Sequence, residues 1–324
     1  MNILISGASG FVGRYLCESL SIEGHFLIGI DRNPIKHKFC NEFINYDLTK
    51  SLSEFPNPEQ FGKIDVLIHL AAAKGDFDFS KQDFYRDNVI ATKGLIKLIT
   101  RLKVNSVIHY STVAVYGHHN ESKSESASLS PNTTYGQTKL ESEEAIRQWA
   151  NQNTKRNLVV LRPSVVYGEK NYANMYNLLS FLNKKFVVSI GNGDHIKSLI
   201  SIENLIEITK FSLSNRGVNI YNCTDEPYYT LKELIEIISE VDGFSKPSIK
   251  IPFFIAWFIV LPIDIISKII KKDLKLSIER LQKFKTATDY RSSKLKECGY
   301  VQKYTTKERL QNMAEWFKSD INNI

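Results

Sequence analysis

Tyr135 and Lys139 stand four residues apart in Tyr135-Gly136-Gln137-Thr138-Lys139, a spacing that puts both side chains on one face of a helix. A tyrosine ordinarily keeps its proton to about pH 10. A neighbouring ammonium favours the phenolate, so the pair could supply a general base near neutrality. Hydroxyls that could hold a reacting oxygen lie at Ser111 and Thr112, where the apolar run from Ser106 ends.

A second chemical feature lies at the N-terminus. Gly7-Ala8-Ser9-Gly10-Phe11-Val12-Gly13 follows the strand-like run Asn2–Ser6 and opens a helical pattern. In that context the glycines read as a dinucleotide turn. Gly7 permits the tight turn, Gly10 lets backbone approach a pyrophosphate, and Gly13 lets helix lie on strand. The pyrophosphate would meet free amides at the positive helix end. Asp31 ends the next strand-like run, where a carboxylate accepts both adenosine ribose hydroxyls and repels a 2′-phosphate. Arg32 beside it could receive such a phosphate. The balance favours NAD, and an oxidised nicotinamide would add its positive charge to that of Lys139 beside Tyr135.

These residues need a scaffold. Apolar runs at Asn2–Ser6, Phe26–Asp31, Phe43–Asp47, Val66–Leu70, Ser106–Ser111 and Leu158–Leu161 alternate with helical patterns at Phe11–Ile22, Asp87–Leu102 and Thr134–Gln152. Alternation of this kind predicts parallel βαβ units, and the nearly continuous apolar strands predict burial on both faces. The expected class is α/β, a doubly wound parallel Rossmann sheet with a smaller C-terminal substrate-binding subdomain. Residues 1–168 would form the NAD-binding domain and 169–324 mainly the subdomain, with 199–225 returning to the sheet through Leu199–Ile202 and Val218–Asn222. Thr230-Leu231-Lys232-Glu233 spells a capping box at a later helix.

Composition bounds the partners. The 42 Lys and Arg residues exceed the 35 Asp and Glu by a net charge of +7, but they are scattered, which speaks against nucleic acid. Four dispersed cysteines offer no CxxC pair or metal-ligand spacing, and they suit a reducing cytoplasm. The chain enters its first strand without a cleavable leader pattern. Ile251–Ile263 carries no charge, and apolar residues continue to Ile270 before Lys271-Lys272. Spanning a membrane takes roughly 20 apolar residues, and Pro262, Asp264 and Lys268 break this run. The default expectation is a buried helix. The sharper one is a helix lying in a membrane surface across 251–272, with Trp257 and Phe258 immersed.

In these motifs the chain resembles the extended short-chain dehydrogenase/reductase family, particularly its nucleotide-sugar epimerases. The likeness runs over nearly the whole chain and is strongest from Met1 to Gly168. It rests on Gly7–Gly13, Asp31, Asp47-Leu48, His69-Leu70-Ala71-Ala72, Asn88, Ser111-Thr112 with Val115-Tyr116-Gly117, Tyr135 with Lys139, and Arg162-Pro163. The resemblance implies that Thr112 hydrogen-bonds the reacting sugar oxygen and Tyr135 is the acid/base. Lys139 would hold the nicotinamide ribose. Asp47 and Leu48 would border the adenine. Leu70, Ala71, Ala72, Asn88, Ser111 and Pro163 would line the cofactor, with Phe11 and Val12 at the helix start. Ser164, Asn177 and Lys197 are expected on the substrate, Lys197 standing in the Gly191–Ser198 segment that resembles the family's diphosphate-binding stretch. Lys197 replaces the usual Arg there, and Lys283 or Lys285 would substitute for a later one. The helices near 87–102 and 134–152 resemble those that pair relatives into homodimers.

The reaction narrows by one absence. Sugar dehydratases of the family carry Asp-Glu directly after the catalytic Thr, whereas Val113-Ala114 follow Thr112 here. The expected activity is therefore 4-epimerisation of a UDP-hexose or UDP-N-acetylhexosamine through a transient 4-keto sugar. The alternatives are a 4-ketoreductase for a nucleotide-linked keto sugar and a non-catalytic NAD-binding protein.

Overall fold

In the computed structural model, residues 1–56, 61–74, 80–119, 121–184, 187–270, 278, 281 and 288–322 are described. Eleven strands occur among them: β1 (Asn2–Ser6), β2 (Phe26–Asp31), β3 (Glu42–Asn45), β4 (Val66–His69), β5 (Ser106–Tyr110), β6 (Asn157–Pro163), β7 (Val165–Tyr167), β8 (Val188–Ile190), β9 (Leu199–Ser201), β10 (Val218–Cys223) and β11 (Ile249–Ile251). Seven form one parallel sheet in the order β10-β6-β5-β4-β1-β2-β3. β7 pairs with β9 and β8 with β11 in two small ladders. The strand order reverses between β1 and β4, the place where an open α/β sheet forms its ligand crevice.

The helices are α1 (Phe11–Ile22), α2 (Lys81–Phe84), α3 (Ala91–Arg101), α4 (Thr134–Asn151), α5 (Asn174–Leu182), α6 (Ile202–Ser212), α7 (Leu231–Ile238), α8 (Phe253–Ile270), α9 (Ser293–Glu297) and α10 (Thr306–Asn322). Alternate residues of β1 show why both sheet faces are apolar. Ile3 and Ile5 join Leu16, Leu20 and Leu205 on one side, while Leu4 joins Leu95, Ile99, Ile146 and Trp149 on the other. A third cluster ties α5, α7 and α10 together through Leu179, Leu234, Ile238, Leu310 and Phe317. The Thr230–Glu233 capping box is present, with the Thr230 hydroxyl receiving Glu233 N and Glu233 Oε2 receiving Thr230 N.

Beyond short shifts at the ends of β4, β5 and β6, three elements differ from the sequence expectation. β3 ends at Asn45 rather than 47, because the Asp47 carboxylate accepts both the amide and the hydroxyl of Thr49 and bends the chain. The helix expected from Asp87 begins at Lys81, where Ser80 and Asp83 form a capping box. It then runs through a π-helical turn at Tyr85–Ile90 before α3. The third difference is α8. Among its described side chains Ala256, Val260 and Asp264 alone are buried, and Phe254, Ile255, Phe258, Ile259, Ile265, Ile266 and Ile270 are exposed. A fully buried helix is thus overturned. Among the described residues no helix is long and apolar enough to cross a membrane, and Lys271 and Lys272 lie outside them.

Candidate active site

The glycine loop is shaped by contacts that leave no room for side chains. Gly7 takes φ +78° and donates its amide to Ile30 O at 2.8 Å. A Cβ there would stand 2.6 Å from Ala71 N, so the loops after β1 and β4 touch. At Gly13 a Cβ would stand 2.2 Å from Gly7 O, which fixes how closely α1 lies on its own loop. Gly10 is the N-cap of α1, and among the described residues no side chain caps that end. Its first amides are thereby left to a ligand or water, and an anion suits them.

Asp31 closes the same loop from β2. Its two carboxylate oxygens accept Ser9 N at 3.1 Å and Asn33 N at 2.9 Å. Arg32 does not compete for a phosphate alone, since its Nη2 lies 2.8 Å from Asp87 Oδ2. Arg86 Nε holds the other Asp87 oxygen at 2.7 Å. A cleft of about 440 Å³ opens beside these groups, lined by Arg32, Asn33, Asn45, Tyr46, Asp47, Lys50 and Glu54. Leu48 is buried, and its carbonyl lies where a Cβ on Gly94 would stand, so α3 seats directly against it.

The start of α4, with Tyr135 and Lys139, meets the Ser111-Thr112 stretch at the end of β5. Thr133 caps α4 by accepting Gly136 N at 3.0 Å, which starts the helix just before Tyr135. Gly136 faces the turn after Thr112, because a Cβ on it would lie 2.7 Å from Ala114 O. One turn on, Lys139 Nζ donates to Tyr110 O at 2.5 Å. These two contacts bring the first turns of α4 onto the Ser111-Thr112 strand end. Thr112 Oγ1 accepts Ala114 N at 3.2 Å and begins a 3₁₀ turn over Val113–Tyr116. Ser111 Oγ is buried and has no hydrogen-bond partner among the described residues. A buried hydroxyl left unpaired costs stability unless a bound group completes it. Tyr135 sits half-buried with its ring 6.0 Å from that of Phe84.

Lys139 is 3% exposed, and burial pulls its pKa down to about 8 while Glu143 pulls it up. Glu143 continues the Tyr135–Lys139 face by one more turn. It is paired with Arg162 of β6, Nε to Oε2 at 3.1 Å and Nη2 to Oε1 at 2.5 Å. Arg162 Nη1 also donates to Tyr116 OH, which donates to Asn222 Oδ1. Neither Glu143 nor this chain was singled out from sequence, although the i, i+4, i+8 spacing would have found the carboxylate.

A second polar network runs beneath the cofactor side. Asn88 Oδ1 accepts Ala73 N at 2.8 Å, and its Nδ2 donates to Thr138 Oγ1 at 3.0 Å. Asn88 therefore joins the loop after β4 to the helix of Tyr135. Thr92 donates its only hydroxyl proton to Asn88 O. His69 Nε2, 2.9 Å from Thr92 Oγ1, must then be the donor, which leaves Nδ1 to accept from Ser6 Oγ at 2.7 Å. Burial, with help from the Lys139 charge, lowers the His69 pKa to about 3, so this ring is neutral.

This arrangement has a counterpart among known proteins. The model of the "NAD dependent epimerase/dehydratase family" matches residues 3–224. The chain belongs to that family. It is an enzyme, and its cofactor is NAD. The N-acetyl-alpha-D-glucosaminyl-diphospho-ditrans,octacis-undecaprenol 4-epimerase of Escherichia coli O157:H7 is 30% identical over 319 residues, 97% of this chain and 95% of that protein. The UDP-glucose 4-epimerase of Caenorhabditis elegans is 24% identical over 300 residues, 76% of this chain and 85% of that protein. The solved UDP-glucuronic acid 4-epimerase from Bacillus cereus in complex with NAD shares the fold, with a TM-score of 0.75 at 22% identity over 98% of this chain and 99% of that one.

In this epimerase/dehydratase-family enzyme the β7–β9 ladder, with Val165 opposite Leu199, sets Ser164 beside the segment that carries Lys197. Pro163 ends β6, and Ser164 is engaged with Cys223 O through its amide at 3.0 Å and its hydroxyl at 3.2 Å. Lys197 is half-buried, and burial lowers its pKa to about 8. Asn177 lies exposed on α5. Lys283 and Lys285 lie outside the described residues.

Proposed function

We propose that the enzyme is an NAD-retaining 4-epimerase of a diphosphate-linked hexose or N-acetylhexosamine, with UDP-sugars as the expected soluble substrates. The observation that carries this reading is the gathering of Thr112, Tyr135 and Lys139 at one strand end, beside the buried and unpaired Ser111 hydroxyl. Val113 and Ala114, where a dehydratase would carry carboxylates, leave elimination without an acid and base.

Tyr135 takes the proton of the sugar's C4 hydroxyl, whose oxygen Thr112 holds by a hydrogen bond. NAD held by the glycine loop and Asp31 would supply the acceptor, and then the donor, of the C4 hydride. Tyr135 then returns the proton to the new hydroxyl. Lys139 holds the nicotinamide ribose and favours the Tyr135 phenolate. Gly7, Gly10, Phe11, Val12 and Gly13 cradle the pyrophosphate and Asp31 holds the adenosine ribose. Asp47 and Leu48 border the adenine. Leu70, Ala71, Ala72, Ser111 and Pro163 line the remainder, and Asn88 fixes that lining against α4. Residues 1–168 serve as the NAD-binding domain. Residues 169–324 serve mainly the sugar diphosphate, through Ser164 at their border, Asn177 and Lys197, while 199–225 return to the sheet.

The enzyme acts in the cytoplasm as a homodimer formed through α3 and α4, with a peripheral membrane contact within 251–272. Ile146 and Trp149 are committed to the core, which leaves half-buried Leu140 and Ala145 and the exposed Tyr85 and Ile90 for a partner. The reading is tested by incubating the purified enzyme with UDP-, GDP- and dTDP-sugars and following the products by NMR. Inversion at C4 without loss of water is expected. A 4-keto-6-deoxy product, or consumption of added NAD(P)H on a 4-keto sugar, would overturn it.

A further inference from the structure

Helix α8 has the reverse of an ordinary surface pattern. Residues 254, 255, 258, 259, 262, 265, 266 and 270 point outward, and they are Phe, Ile, Phe, Ile, Pro, Ile, Ile and Ile. Phe254 is 63% and Phe258 65% exposed. The inner line, Ala256, Val260 and Asp264, repeats every four residues. Soluble surfaces place charge on the outer face of such a helix. An apolar stripe running the length of an 18-residue helix is large enough to mark an interaction surface.

The position of α8 relates that stripe to the substrate. Ala256 and Val260 pack with Ile190 of β8 and Ile251 of β11. Gly191, the next residue after β8, donates its amide to Ile251 O at 3.0 Å and opens the Gly191–Ser198 segment that carries Lys197. The stretch assigned to the diphosphate and the apolar helix therefore belong to one small unit. Lys246 and Lys250, both exposed, precede the helix, and the chain carries net charge +7, which suits an anionic surface.

We infer that the outer face of α8 seats in the surface of an anionic bilayer, and that the diphosphate of the physiological substrate is carried on a membrane polyprenyl lipid. This rests on the 4-epimerase reading and narrows its substrate class. The related protein of Escherichia coli O157:H7, whose name specifies an undecaprenol carrier, matches this chain over 97% of its length. A helix of this kind lies in the interfacial plane with its apolar face roughly 5–10 Å deep. The sugar diphosphate then emerges at headgroup level beside the segment that binds it, and the tail stays in the acyl region.

The test uses the full chain and its variant Phe254→Glu with Phe258→Glu, two exposed positions outside the site. Binding is read by flotation with phosphatidylcholine/phosphatidylglycerol vesicles. Turnover is read on N-acetylglucosaminyl diphosphate carried either by a short, water-soluble prenyl tail or by a long polyprenol in the same vesicles. The wild type floats and turns over both. The variant should stay unbound, keep turnover of the short-tailed compound within about twofold, and lose about tenfold or more on the vesicle-borne one. Turnover by a wild type that does not float overturns the inference and leaves the epimerase reading intact. Flotation without turnover of either compound overturns the lipid-carrier assignment, and the epimerase reading falls with it when the UDP-, GDP- and dTDP-sugar panel is also left unchanged. A face that instead buries a second copy would give a dimer that the variant splits on gel filtration, with no flotation, and this also overturns the inference.

Discussion

The ammonium of Lys139 lies 2.5 Å from the carbonyl oxygen of Tyr110, so the helix that carries Tyr135 is tied to the strand end that carries Thr112. The bond is buried, and it fixes Lys139 one helical turn from Tyr135. Positioning of the proposed acid/base, Tyr135, thus depends on a charge held largely out of water, which has consequences for activity and for stability.

Tyr135→Phe removes the proton carrier and leaves the ring against Phe84. Turnover is expected to fall by about 10²–10⁴, the usual share of general acid–base catalysis, while NAD copurifies as in the wild type. Absorbance of released NAD and a kcat measurement separate the two effects. A variant that keeps more than a tenth of its turnover would remove Tyr135 from the chemistry.

Burial lowers the Lys139 pKa from 10.5 to about 8. Between those values the unfolded chain holds more protons at this group than the folded one, so its contribution to stability rises with pH from about 8 and levels off near 10.5. Below pH 8 the burial cost is present in full. Urea unfolding at pH 8 and pH 10 should show a gain in the wild type that Lys139→Met lacks, by at most about 1.4 kcal/mol per pH unit. Equal pH dependence in both proteins would contradict this assignment.

Glu143 and Arg162 form a pair with side-chain exposures of 0% and 2%. Glu143→Met leaves a buried guanidinium without its carboxylate and should cost about 3–5 kcal/mol. Adding Arg162→Met should recover much of that loss, because no uncompensated charge remains. Denaturant midpoints of the single and double variants decide the point, and additive losses would show that the two residues do not act as a pair.

Asp31→Ser keeps a small polar group but removes the charge proposed to hold the adenosine ribose, and it weakens the anchors of Ser9 N and Asn33 N. The NAD dissociation constant should rise roughly ten- to a hundredfold, with a smaller loss for NADP. Calorimetric titration of cofactor-stripped protein measures both. A greater loss for NADP would place the discriminating group elsewhere.

Much of the sheet was legible because buried parallel strands are nearly uninterrupted apolar runs. The bounds of β1, β2 and α1 follow directly from their apolar runs and periodicity. Local side-chain chemistry moved two other bounds: the Asp47 turn ends β3 early, and the Ser80–Asp83 capping box starts α2 early. The Tyr135–Lys139 pair and the glycine loop were readable because their function fixes residue type at short spacing. What escaped depends on partners distant in sequence. Asn88 meets Thr138 fifty residues away, and Glu143 meets Arg162 across α4 and β6. The outward face of α8 was only the sharper of two expectations, behind a buried helix. Its composition is that of a buried helix, and only packing shows which side is covered.

The central claim is that the hydride taken from C4 returns to the same sugar. It is tested most directly with a diphosphate-linked N-acetylglucosamine deuterated at C4, incubated with the purified enzyme and no added cofactor. The account predicts inversion at C4 with deuterium retained in the product and the bound NAD unexchanged. Loss of deuterium to an added nicotinamide pool, or turnover only when NAD(P)H is supplied, would contradict it.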